Sequence, residues 1–226
     1  MTSIVSNLTP SQIRSLSTAS VAAWSTEDVA SLSTGQINAQ SSAQVAALDA
    51  EDVEVLGTKQ LRAISQTAIV GLSLDQLAVL DHLAIESLSS AQVAAMTAKQ
   101  IGGLSTMQAE ALTESQVSAL NSAQLAALGP HELATFSTAD MASISAKAIV
   151  GLTAETMASL TSAQIAALNP KSVGALTTAQ VAALATAQVE ALSGAPVKEL
   201  TAAHPGALHA RPSLIPPTQL ARPHPP

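Results

Sequence analysis

Residues 176–183 read Leu-Thr-Thr-Ala-Gln-Val-Ala-Ala, and variants of this eight-residue phrase recur along nearly the whole chain. Stepping by eight from Leu8 gives Leu16, Trp24, Leu32, Gln40, Leu48 and onward to Leu208. Of these 26 positions 20 are Leu and 25 are apolar, with Gln40 the exception. The single Trp and the single Phe, Trp24 and Phe136, both fall in this row. A second apolar row lies five residues after each Leu, from Ile13 to Val197, and only Ala109 among its 24 positions is not Val, Ile, Leu or Met. The residue before each Leu is usually Ala, Ser or Gly. A fixed internal period of this kind is the signature of a repeat architecture.

Period eight excludes one long helix. An α-helix turns about 100° per residue, so a Leu row at this spacing drifts by roughly 80° per repeat and never forms one face. Coiled coils need heptads or eleven-residue repeats, and strands need alternation with β-branched or aromatic enrichment. The residue after each Leu resolves the conformation. From Thr9 to Thr201 these 25 positions hold 11 Ser, 7 Thr, 2 Asp, 2 Asn, 2 Gly and 1 Ala. That is the preference of a helix N-cap, whose side-chain oxygen accepts from an unpaired backbone N–H. Three residues further on stands Gln in 13 cases and Asp or Glu in 4 more, completing capping boxes. Pro10, Pro130 and Pro170 each follow a cap, at the first helical position, where a missing N–H costs nothing. Leu before the cap and Val four after it form a hydrophobic staple.

Each octad is therefore a cap and about one and a half helical turns, too short to persist alone because nucleation is unfavourable. Stacked octads sharing a Leu/Val interior are expected, giving an all-α solenoid of very short capped helices built from about 25 octapeptide repeats. The octad pattern sets neither the handedness of the superhelix nor the number of octads per turn. Residues 1–200 are assigned to the solenoid. Residues 201–226 hold a disproportionate share of the 11 prolines and read as a disordered Pro-rich tail. Neither end shows a distinct capping segment, which leads to the expectation of a fragment of a larger repeat protein. AIVGL at 68–72 and 148–152, and AALGP at 126–130 echoed by AALNP at 166–170, point to expansion by duplicated blocks.

Composition narrows the function. Residues 1–200 carry 16 acidic and 7 basic residues, a net −9 without the clustered Lys and Arg that phosphates demand, so no nucleic-acid partner is expected. No cysteine is present, which removes disulfides and thiolate chemistry. The opening stretch, MTSIVSNLTPSQIRSLSTAS, has no basic region followed by an apolar run, so no cleaved signal peptide is expected. No stretch has the length and apolarity of a membrane span.

No catalytic, cofactor-binding or metal site is expected, and no cofactor or small-molecule substrate. His82 and His131 fall in first turns facing solvent, while His204, His209 and His224 lie in the tail. The acidic cluster Asp49, Glu51, Asp52 and Glu54 lacks the Gly-bearing loop of a calcium site and fits carboxylates favoured near a helix N-terminus. Gln40 reads as a packing defect, with a kink or a locally exposed interior as the alternative. Gly57 and Gly129 replace caps.

The charges gather at variable positions after the cap: Glu27, Glu51, Lys59, Lys99, Lys147, Glu155 and Lys171. Over roughly residues 5–200 the array resembles the Leu-Thr-x-x-Gln-Val-x-Ala-Leu tracts of large bacterial secreted or adhesin-like repeat proteins. Extended solenoids offer long surfaces, so a non-enzymatic scaffold with a structural or protein-binding role is expected; the resemblance implies a bacterial protein, secreted or at the cell surface by a leaderless route. The Ser-rich, acid-free segment before Glu27 also resembles the leaderless signals of type III secreted effectors or translocator-associated proteins, which is the alternative. A chain with neither export route would be cytoplasmic.

Overall fold

The computed structural model describes residues 5–192. A 3₁₀ turn at Val5–Asn7 is followed by 23 α-helices of four to six residues, from Pro10–Ser15 to Thr186–Ala191, with no strand among the described residues. Each octad contributes one helix, as the caps require. Twenty of the 23 N-cap side chains accept from the backbone N–H three residues on; Gly57, Gly129 and Ala185 do not. Each cap residue is extended, near φ −70° and ψ 155° at Thr9, so the chain turns a corner there and starts the next helix.

Each helix packs against the helix three places on, so one coil takes three octads. The pair Leu74–Ala78 and Ala98–Ile101 is the loosest; there Leu74 lies beside Gly103. The result is a three-sided coil with three columns of stacked corners. Both apolar rows point inward. Every described residue of the row running from Val5 through Ile13 to Val189 is buried, and so is the Leu row from Leu32 to Leu192. Leu8, Leu16 and Trp24 are only partly buried; together they make up the Leu row of one coil, which no described coil covers from below.

Gln40 is buried, 3 % exposed, and the octad register continues unbroken on both sides, so the interior is not locally opened there. Its Nε2 has no hydrogen-bond partner. The proposed tail, residues 201–226, lies outside the described residues, as do His204, His209 and His224.

Candidate interaction surface

The corners explain how the coils are fastened. Gln116 in the Thr113 octad illustrates the arrangement. Its Oε1 accepts from the Thr113 backbone N–H at 2.7 Å, the expected half of the capping box. Its Nε2 donates to the carbonyls of Leu88 at 2.7 Å and Ile85 at 2.9 Å, 28 and 31 residues back. Those carbonyls sit at the corner one coil below, where the helix His82–Ser87 ends and leaves its last C=O groups without intrahelical partners. Twelve glutamines from Gln36 to Gln188, Gln116 among them, make both bonds at the same two spacings. Each amide thus caps its own helix and ties the corner beneath. Gln12, in the first described coil, makes only the local bonds, to Thr9.

Other residues fill this position with different consequences. Ser172 Oγ donates to Ile144 O at 2.7 Å and Asn169 Nδ2 to Ala142 O and Ile144 O, so two short side chains replace one glutamine. Ala68 and Ala148 supply no tie, and in their octads Gly71 and Gly151 lie directly against the backbones of Ser42 and Ser122. These are the two AIVGL segments; the glycine admits a backbone approach that any Cβ would block. Asp52, 2 % exposed, takes the same position in the acidic cluster. Its backbone N–H donates to Asp49 Oδ1 at 3.0 Å and its Oδ2 accepts from the Asp49 N–H at 3.3 Å. Burial pushes its carboxyl above the usual aspartate range; the backbone bond from Asp49 opposes this, and the charges of Asp49 and Glu51 add to it. Asp49, Glu51 and Asp52 therefore serve the start of the helix Ala50–Glu54, while Glu54, expected there too, stands at its C-terminal end because the helix is only five residues long. Among the described residues no group of three His, Cys, Asp or Glu side chains is placed to hold a metal ion, and no helix is long and apolar enough to cross a membrane.

What remains outward is sorted by the three-octad coil. The first face comprises the octads capped by Thr9, Ser33, Gly57 and every third octad after; the second starts from Ser17 and the third from Ser25. Of the charged residues singled out in the sequence, Glu27, Glu51, Lys99, Lys147 and Lys171 share the third face, joined there by Asp75, while Lys59 and Glu155 lie on the first. All are exposed. The second face holds only Glu114, Asp140 and Glu190 among its charges and is otherwise mostly Ala, Ser and Thr. The first face also carries Leu83 and the 71 % exposed Met107, one coil apart. Beside Met107 an open hollow of about 320 Å³ is lined by His82, Glu86, Glu110 and Ala111. His82 and His131 are exposed, as their places in first turns imply.

A family model for the ALTTAQ repeat matches residues 5–42, 21–58 and 163–194. The chain is a repeat protein. The string Ala-Leu-Thr-Thr-Ala-Gln itself stands at 175–180, where it forms a corner: Thr177 caps and Gln180 ties. The first two matches in this repeat protein are offset from each other by two octads. No curated protein matches the chain.

Proposed function

We propose that this repeat protein is a non-enzymatic scaffold that presents its faces to protein partners. The observation that carries the reading is the separation of charge by face. A three-octad coil places residues distant in sequence in one outward column, and the columns differ in chemistry. Buried polar groups along the corners are spent on holding coils together, which leaves the outward positions free to vary without cost to the fold. Solenoids use such extended surfaces for binding. The likeness of the tracts to bacterial secreted and adhesin-like repeats supports an exported, surface-associated role.

The test is affinity capture with the full chain and three variants, each with the exposed charges of one face replaced by Ser. Loss of a captured protein with one face only supports a docking face. Equal capture by all three variants would sink the reading.

A further inference from the structure

The third face is self-complementary. Its octads each present one residue two positions after the cap, and in chain order these are Glu27, Glu51, Asp75, Lys99, Ala123, Lys147 and Lys171. The six charged ones are exposed. The first three octads of this face carry seven carboxylates and no base, and all of the seven but the buried Asp52 reach the surface. The last four carry three lysines and no acid. The neighbouring outward positions are small over most of the face, including Ala30, Ala78, Gly102, Ala126 and Gly174, so the long charged side chains stand above low ground. Val55, Leu74 and Val150, three of the six large exposed apolar residues, lie on the same face.

We propose that this face binds a second copy of the chain, antiparallel, in a closed twofold dimer. Reversing one copy sets the acidic half against the basic half. With the Ser73 octad beside the Thr97 octad of the other copy, Asp75 opposes Lys99 and Glu27 opposes Lys147. Glu51 opposes Ala123, and no like charges meet. Because the dyad makes every contact twice, each pairing counts double. The first face bears the reverse gradient, basic at Arg14, Lys59 and Arg62, then acidic from Asp81 to Glu155. Four of its charges, Arg14, Arg62, Glu86 and Glu110, share the position five after the cap, a shorter row than the six charges of the third face, and the rest are scattered over other octad positions. Ion pairs at a surface are individually weak and screened, so the association is salt-dependent by construction. The inference deepens the scaffold reading by naming its partner.

Analytical ultracentrifugation of the full chain tests it. A dimer at 50 mM salt is expected, with a dissociation constant that rises roughly tenfold or more by 300 mM. Two triple variants, Glu27→Lys/Glu51→Lys/Asp75→Lys and Lys99→Glu/Lys147→Glu/Lys171→Glu, should each be monomeric, with the helical spectrum unchanged because all six sites are exposed. Mixed together, they should form a heterodimer. The charge reversal Arg14→Glu/Arg62→Glu on the first face should leave the dimer intact. A wild-type monomer at 50 mM salt, dimers surviving in both triple variants, disruption by the first-face reversal, or open-ended polymers would each overturn the proposal. Capture of a different protein by a face would still leave the scaffold reading standing.

Discussion

Replacing Gln116 by Met tests whether the corner ties hold the coils together. Gln116 is 1 % exposed, and its Nε2 is the partner drawn from the coil above for Leu88 O and Ile85 O. Ile85 O also accepts from the Leu88 N–H at 3.2 Å, so it keeps one bond in the variant. Leu88 O loses the amide that reached it. A buried carbonyl left without a partner costs about 1–3 kcal/mol, and a lost second bond about 1 kcal/mol, so the tie is worth about 2–4 kcal/mol. The capping bond to Thr113 is lost as well, and Gln12→Met supplies the control. Gln12 makes the same capping bond and no tie but is exposed, so the difference between the two variants carries the tie together with the burial of the new methionine. Because a solenoid opens locally, the assay is a thermal melt combined with amide hydrogen exchange around 85–89 and 113–117. Gln116→Glu extends the argument. A carboxylate of the same shape cannot donate and would face two carbonyl oxygens, so its folded pKa lies above the unfolded value of about 4.3. With a raised folded pKa, the variant's deficit is largest above that pKa and shrinks as pH falls through it toward the unfolded value. Equal stability losses for Gln116→Met and Gln12→Met would refute the reasoning.

Four more outcomes follow from the same geometry. Gln40→Leu removes an unpaired buried amide from the Leu row and should stabilise the array by about 1–3 kcal/mol, read as a raised melting temperature. Gly71→Ala places a methyl 2.7 Å from the Ser42 carbonyl carbon and should destabilise by about 1–3 kcal/mol, whereas Gly35→Ala, in open contact at 3.7 Å, should not. Asp52→Asn should raise stability at neutral pH, since a carboxylate held above its unfolded pKa destabilises the fold when ionised. The gain should fade as pH drops through the folded pKa toward about 3.9, and a pH-independent gain in the melts would contradict this. Deleting the whole octad 105–112 should leave a folded array but move Lys147 and Lys171 off the third face. Circular dichroism should be nearly unchanged while salt-dependent dimerisation is lost; deleting one full coil, 105–128, should keep both.

Much of this was legible residue by residue. The caps, the boxes, the staple and the two apolar rows were all read from the octad, and the interior contains the rows so named. The glutamine row was legible only in half. A capping box accepts Glu as readily as Gln, and the helix dipole favours Glu there; yet Gln stands at 13 sites and Glu at one, Glu132. That excess was the available sign that the amide N–H₂ had a second use. The three-octad spacing between Glu27 and Glu51, and between Lys147 and Lys171, was likewise a sign of the coil's period. Gln40 kept its place in the row and was buried with it, because the octads on either side fix the backbone there.

By itself, the sequence determined what acts within one octad: where each helix starts and stops, and which apolar side chains turn inward. Those choices follow from local hydrogen bonds and from the apolar period. How many octads close one turn depends on the corner angle, which the extended backbone at each cap sets and the packing of successive coils selects. Only the tertiary structure therefore decided that residue i meets residues i−28 and i−31. It likewise decided that acids and lysines scattered along the chain from Glu27 to Lys171 share one face.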